Sequence, residues 1–345
     1  MALLSLEKSI IATLVYYDVL NRPLTGWEVF KYLVRLRSIQ EIRSNPYLEG
    51  QTFTEGLTLS RDPRNQTSNL DFVLEILEKS ELVEQKNGFY FLKGRSKIVK
   101  QRIERQKIAD QKWKKARRAI RFLQALPYIR LVAVSGSLAM NNTKEESDID
   151  LLIITKAGRI WTCRALATLY FHLIGQRRHG NLTKNRFCLN HYITDSSLEI
   201  PWPSLYNAQT YAHLVPLWQK KGLYHKFQKA NKWIGQYLVN YSINQKGYLT
   251  RLESNQFLGL IRKFREWILD NWFGDLLEFF LKKVQEKKIK KEPLTFKSGG
   301  RVSFDDQQLE FHPDSPEKNI LERYNQKMKE LGLAELGNEK DSGLI

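Results

Sequence analysis

The sequence has little cysteine, no long uninterrupted apolar run and fewer acidic than basic residues. Its 345 residues include two cysteines, Cys163 and Cys188, which give neither a disulfide framework nor a cysteine-based zinc pattern and suit a reducing, cytoplasmic compartment. The most apolar late stretch, residues 267–281, is interrupted by three acidic residues, so it predicts a packed helix and not a membrane span. The first helical stretch lacks a secretory pattern.

The excess of basic residues is large and unevenly placed. Lys and Arg number 55 against 37 Asp and Glu, a formal net charge of +18, which favours polyanionic partners such as nucleic acid or nucleotides. Residues 93–121 hold thirteen basic and two acidic residues, with apolar residues at helical intervals, and so predict a long helix over about 96–125. That helix is either an electrostatic track for nucleic acid or another polyanion, or the solvated face of a connector.

The stretch LVAVSGSLAMNNTKEESDIDLLIIT, residues 131–155, carries the chemistry. An apolar run ends in a Ser-Gly-Ser turn, and Asp148 and Asp150 then stand at the head of a second apolar run. Residues two apart in a strand point to the same face, so the two carboxylates project together and repel unless a cation lies between them. Hard divalent cations such as Mg²⁺ are the usual solution. Gly136 lets the backbone pass close to a phosphate, and Ser137 begins a helix whose free N–H groups favour anions.

This arrangement resembles the nucleotidyltransferase superfamily related to DNA polymerase beta, whose signature is a strand, Gly-Ser, a helix, then Asp-x-Asp opening the next strand. The matching residues read GSLAMNNTKEESDIDLLII. The resemblance implies an α+β fold with a small mixed β-sheet core, and transfer of a nucleoside monophosphate from an NTP such as ATP to an unidentified hydroxyl. It also implies Mg²⁺ or Mn²⁺ bound by catalytic Asp148 and Asp150, and nucleotide binding by Gly136, Ser137 and Ser147.

The superfamily carries a third carboxylate on a later strand, and here the candidate strand, residues 186–194, reads RFCLNHYIT. Asn190 takes the position expected to face the site, where an amide oxygen can coordinate a cation but cannot accept a proton. Asp195 and Glu199 are alternatives if the following loop folds back, whereas strand alternation places His191 on the opposite face. The chain is therefore either a working enzyme or a catalytically weak or inactive relative that acts as a nucleic-acid-binding or regulatory module.

Two further features concern nucleotide binding. Residues 140–142 read Met-Asn-Asn, where members of the superfamily often carry a basic residue and a glycine. Arg164 lies on a predicted helix over 159–174 and is a nucleotide-binding candidate through a phosphate, although a surface or ion-pair role is the commoner use of such an arginine.

The flanking regions have their own patterns. Residues 1–95 resemble a winged helix-turn-helix, with a Thr25/Glu28 capping box, a polar insertion over 37–66 and an Asn-Gly hairpin turn. Acidic residues on its third helix argue against DNA reading and favour a structural or protein-docking role. The predicted organisation is a winged-helix-like domain (1–95), a basic connecting helix (96–127), the nucleotidyltransferase core (128–200), a helical C-terminal region (201–335) and a disordered tail (336–345).

Overall fold

The computed structural model of the protein describes residues 2–36, 63–180, 182–243, 252–297 and 300–333. The predicted tail and all but the last four residues of the predicted insertion over 37–66 lie outside the described residues.

The N-terminal region combines helices with a small antiparallel sheet of strand order β1-β3-β2. Its elements are α1 (Ala2–Val19), β1 (Leu24–Thr25), α2 (Gly26–Lys31), α3 (Pro63–Lys79), β2 (Val83–Lys86) and β3 (Phe89–Leu92). The predicted capping box is present, since the Glu28 N–H donates to Thr25 Oγ1 over 3.2 Å and the Thr25 N–H donates to Glu28 Oε2 over 3.0 Å. Asn87 and Gly88 both have positive φ, as the predicted two-residue hairpin turn requires. The winged-helix assignment stays a prediction.

Helix α4 (Lys97–Leu123) follows the predicted basic stretch closely. Four of the basic residues between 93 and 121 are engaged inside the molecule and are not available to a polyanion. They are Arg95 with Asp18, Arg102 with Glu28, Arg105 with Asn142, and Lys112 with the loop before Asp148. The proposed polyanion track therefore depends on the remaining exposed lysines and arginines of α4, and it stays a prediction.

A mixed six-stranded sheet forms the centre of the molecule, in the order β7-β4-β5-β6-β9-β8. Strands β5 and β6 are parallel and are joined by helix α6 (Ile160–Leu173), while the other neighbouring pairs are antiparallel. This architecture confirms the predicted α+β class with a mixed sheet. The strands are β4 (Ile129–Val134), β5 (Ile149–Thr155), β6 (Phe187–Thr194), β7 (Val215–Gln219), β8 (Arg301–Phe304) and β9 (Gln308–His312), with the one-turn helix α5 (Gly136–Ala139) after β4.

The C-terminal region is less helical than its sequence predicts, because β7, β8 and β9 all come from it. Its helices are α7 (Leu205–Ala212), α8 (Leu223–Ala230), α9 (Gln256–Leu269), α10 (Trp272–Lys291) and α11 (Glu317–Glu330). Pro216 lacks an N–H and suits an edge strand such as β7, so the helical pattern does not continue beyond α7 into this segment. Asn271 caps α10 by accepting from the N–H groups of Phe273 and Gly274, which divides α9 from α10 within the stretch 267–281.

Both faces of the sheet are buried, and the two faces belong to different cores. On one face Leu131 and Leu152 pack in a core that includes α1, α7 and α11, so the N-terminal region and the sheet share one hydrophobic core. On the other face Val132 and Ile153 pack with residues of α4 and α6.

The stretch 267–281, predicted as a packed helix, is packed on one side only. Glu278 of α10 faces inward and accepts from the N–H groups of Trp161 and Thr162 at the start of α6. The opposite side is exposed, with Trp267 74% and Trp272 76% accessible. Among the described residues, no helix is long and apolar enough to cross a membrane.

Candidate active site

Asp148 and Asp150 lie at the beginning of β5, on the sheet face that the core with α1 and α7 also covers. Asp150 is paired with Cys188 of the parallel strand β6, so these two side chains share that face. One carboxylate oxygen from each aspartate and the Cys188 sulfur all lie within 4.8 Å of one another. The structure thus brings the predicted acid pair together and adds the Cys188 thiol to it.

The electrostatics of the pair are those of two acids with too little positive charge between them. Burial, followed by the neighbouring Asp148, raises the pKa of Asp150 to about 7, although Arg178 and a hydrogen bond from Cys188 oppose the shift. The Arg178 guanidinium donates from Nη1 to Asp148 Oδ2 over 2.6 Å and lies 3.3 Å from Cys188 Sγ. One guanidinium faces two carboxylates, so the site favours a further cation.

Gly136 brings the end of β4 against the acid pair. The Ser135 N–H donates to the Asp150 carbonyl over 3.0 Å, and Gly136 has φ of +64°. A Cβ at position 136 would lie 2.6 Å from Asp150 Oδ2, so no side chain fits between this backbone and the carboxylate. Ser137 follows as the second residue of α5. The glycine is therefore needed both for its conformation and for its lack of a side chain.

The loop that precedes Asp148 is held by a buried lysine of α4. Lys112 Nζ donates to the carbonyl oxygens of Lys144, Glu145 and Ser147, over 2.6, 3.2 and 2.5 Å. The Ser147 hydroxyl accepts from the Lys144 N–H over 3.2 Å. Lys112 and Ser147 thus fix the direction in which the chain enters Asp148, and nucleotide binding by Ser147 stays a prediction.

The Met-Asn-Asn segment after α5 is tied to the N-terminal half of the protein. Arg22 Nε donates to the Met140 carbonyl over 3.0 Å, and Trp113 Nε1 donates to Asn141 Oδ1 over 2.8 Å. Asn142 Nδ2 donates to the Leu20 carbonyl over 3.0 Å. Residues 140–142 therefore anchor the turn after α5 to the N-terminal half of the protein. This role explains why asparagines stand where a contact to phosphate would need a basic side chain.

Asn190 does not point at the acid pair. Its Nδ2 lies 3.0 Å from Nδ1 of His312 on β9. Strand β6 has an irregularity here, because Asp150 pairs with Cys188 but Leu152 pairs with His191. The extra residue places His191 on the same face as Asp150, so the expectation that alternation turns His191 away is wrong. A β-bulge breaks the two-residue period on which that expectation rested.

The other candidates for a third carboxylate lie elsewhere. Asp195 follows the far end of β6, where Thr155 pairs with Thr194, and five residues of strand separate that end from Asp150 by about 17 Å. Asp195 Oδ1 accepts from the Ala157 N–H over 2.9 Å, and Glu199 is not part of the ligand cluster around the acid pair. Neither residue reaches the acid pair.

Arg164 also lies away from the acid pair. Its Nη1 donates to Gln285 Oε1 of α10 over 2.6 Å, and its guanidinium lies 4.7 Å from the centre of the Phe311 ring. These contacts are on the opposite side of the sheet from Asp150, so the structure does not bring Arg164 to the acid pair, and nucleotide binding by Arg164 stays a prediction.

The donor atoms of the acid pair suit Mg²⁺ or Mn²⁺. Two carboxylates supply the hard oxygen ligands that these ions prefer. Burial, together with Asp150 and Asp148, raises the pKa of the Cys188 thiol well above its usual value, so the neutral sulfur is not a competing ligand. Asp148 and Asp150 are thus the residues that would hold such an ion.

Because the pKa of Asp150 is raised, replacing this residue by the neutral asparagine should stabilise the fold by an amount that depends on pH. The folded protein holds the proton more tightly than the unfolded chain, whose aspartate pKa is about 3.9. The contribution of Asp150 to the stability of the wild type should therefore fall as pH rises from about 4 to 7. Asp150→Asn should then raise the free energy of unfolding by on the order of 2 kcal/mol at pH 8 and much less at pH 5. Thermal unfolding in EDTA at both pH values measures this, and an equal effect at both would contradict it.

Comparison with known protein families agrees with this geometry. Residues 114–258 match the family model described as a nucleotidyltransferase domain. The matched residues include both aspartates, Gly136, Ser137 and Cys188, and run from the second half of α4 through β7 to the start of α9. Searches of curated proteins and of solved structures gave no match.

Proposed function

We propose that the protein is a metal-dependent enzyme that transfers a nucleoside monophosphate from an NTP to a hydroxyl acceptor. Its membership of the nucleotidyltransferase superfamily supports this proposal. The observation that carries the proposal is the convergence of Asp148 and Asp150 beside the side-chain-free backbone of Gly136. A catalytic role accounts for placing the half-buried Asp150 carboxylate beside Asp148, which costs the folded protein stability when no cation is present.

In this proposal one set of residues binds the cation and another set binds the phosphates. Asp148 and Asp150 would hold the divalent cation, which when bound neutralises charge on the triphosphate and the leaving pyrophosphate. The open backbone at Gly136 and the hydroxyl of Ser137 would then receive phosphate oxygens at the start of α5.

Arg178 is a further candidate for binding phosphate. Its side chain is 44% exposed although it contacts Asp148, and it lies between Gly175 and Gly180, which both have positive φ. A cation at the acid pair competes with this guanidinium for Asp148. The displaced guanidinium would face the incoming triphosphate, whose oxygens it can bind through two N–H groups.

One observation favours the alternative of a weak or inactive relative. Within the described residues, the position on β6 beside Asp150 holds the Cys188 thiol where a carboxylate would act as base. A protonated thiol cannot take a proton from an acceptor hydroxyl as a carboxylate does. A protein of this kind would bind nucleotide or nucleic acid without turnover.

Two measurements separate these functions. Isothermal titration should show ATP binding that strengthens at least about tenfold with Mg²⁺, since the acid pair repels an uncomplexed triphosphate. A panel of NTPs labelled at the α-phosphate, incubated with cell extract, should then show protein-dependent transfer of label to one acceptor class. Metal-dependent ATP binding without transfer of label would favour the inactive relative. If the protein shows neither metal-dependent ATP binding nor transfer, the proposal of nucleotidyl transfer is overturned.

A further inference from the structure

A second cluster of possible ligands lies on the same sheet face, away from the acid pair. His191 of β6 stands directly opposite Glu310 of β9, and His312 lies two residues further along β9, so all three side chains share this face. One donor atom from each residue lies within 4.8 Å of the other two. Glu310 and His312 are beyond the residues matched by the nucleotidyltransferase domain, so the match says nothing about them.

His191 has a buried ring nitrogen with no hydrogen-bond partner among the described residues. Its Nδ1 lies 3.4 Å from the Tyr211 hydroxyl, whereas its Nε2 is buried and has no hydrogen bond within the described part of the chain. His191 is only 6% exposed, and a buried polar atom left unpaired is costly and rare. When Nδ1 donates its proton to the Tyr211 hydroxyl, Nε2 keeps a lone pair for coordination.

The buried negative charge around the cluster also favours binding of a cation. Arg301 of β8 pairs with Glu317 and lies 3.7 Å from Glu310 Oε1. All three residues are almost completely buried, at 3%, 0% and 1% exposure. Two carboxylates therefore face one guanidinium in an interior where unbalanced charge is expensive.

His312 has the orientation and access that a metal ligand needs. Its Nδ1 lies 3.0 Å from the Asn190 amide and its Nε2 lies 3.8 Å from Glu310 Oε1. An amide can present its oxygen as readily as its nitrogen, and in that orientation Asn190 accepts the Nδ1 proton and leaves Nε2 for the ion. The side chain of His312 is 33% exposed, which gives an ion a path from solvent.

We propose that His191, Glu310 and His312 form a binding site for a divalent transition metal of the zinc class, with water in the remaining position. Two imidazoles and one carboxylate are a ligand set that Zn²⁺ accepts and that Mg²⁺ does not favour. The site is distinct from the acid pair, because the two sets of ligand atoms form different clusters. Strand β9, which carries Glu310 and His312, lies two strands from β5, about 10 Å at the usual strand spacing. Asn190 is a positioning residue that orients His312.

Equilibrium dialysis against Zn²⁺ in excess Mg²⁺, with the bound zinc measured by mass spectrometry, tests the site without any assay of turnover. The wild type should bind one Zn²⁺. His191→Gln and His312→Gln should each weaken binding by at least about 100-fold, and Asn190→Ala by roughly 10–100-fold. Two controls should keep the wild-type affinity: His225→Gln, which removes an exposed histidine elsewhere, and Asp148→Asn, which removes a ligand of the acid pair.

A Co²⁺ spectrum of the unmodified protein keeps the proposal open to refutation if a histidine variant does not fold. Coordination by two histidines and a carboxylate should give visible ligand-field bands with no thiolate-to-metal charge-transfer band. A thiolate band would put the ion at Cys188 and the acid pair, and would overturn the proposal. Wild-type protein that takes up no Zn²⁺, or histidine variants that bind as well as the wild type, would overturn it as well. None of these results depends on nucleotidyl transfer.

Discussion

Asp148→Asn should lower nucleotidyl transfer by at least about a thousandfold while leaving the fold intact. The substitution keeps the shape of the side chain but removes half of the negative charge that holds the divalent cation, and such electrostatic groups contribute several kcal/mol to a phosphoryl transition state. The lost ion pair with Arg178 is partly exposed and so contributes little to stability. Transfer of label from an α-labelled NTP and thermal unfolding measure the two effects.

A matched control lies three residues earlier on the same loop. Glu145 is exposed and pairs with Lys184, so Glu145→Gln removes one negative charge near the site without touching the acid pair. Its activity should stay within about twofold of the wild type, as expected for a surface ion pair. If Asp148→Asn and Glu145→Gln lower the activity by the same factor, the cause is the loss of negative charge from the loop as a whole, and Asp148 is not a metal ligand.

Much of the core could be predicted because its signals are local. Alternation and apolar runs predicted β4, β5 and β6 to within a few residues, and the Asp-x-Asp spacing placed both acids on one face, as observed. The capping box at Thr25 and the Asn-Gly turn depend on neighbouring residues alone, and both are present.

What the sequence could not predict depends on contacts between distant residues. One extra residue in β6 turns Cys188 and His191 to the face of Asp150, and a bulge of this kind has no clear local signature. Strand β9 is more than 100 residues from β6 in sequence, so nothing local suggests that Glu310 lies opposite His191. Lys112 was counted as part of a charged helix face, yet it is buried against the loop before Asp148.

Gly136→Ala should be the most damaging substitution outside the acid pair. Alanine in the left-handed region costs roughly 1–2 kcal/mol, and here the added methyl group would lie 2.6 Å from Asp150 Oδ2. The carboxylate must move away, and a shift of an ångström at a metal ligand costs activity of about 100-fold. The rate of transfer of labelled nucleotide, the Mg²⁺-dependent affinity for ATP and the temperature of thermal unfolding should therefore all fall together.

Gly158→Ala separates backbone strain from the close approach to Asp150. Gly158 has φ of +70°, nearly the same as Gly136, but a Cβ there would meet nothing within 4 Å. Both variants should lose about 1 kcal/mol from strain, and only Gly136→Ala should also lose activity and metal-dependent nucleotide binding. Equal activity in the two variants would mean that the Asp150 carboxylate can leave its position without consequence. In that case the contact between the β4 turn and β5 would be a packing feature, and the acid pair would not be held in a geometry that catalysis requires.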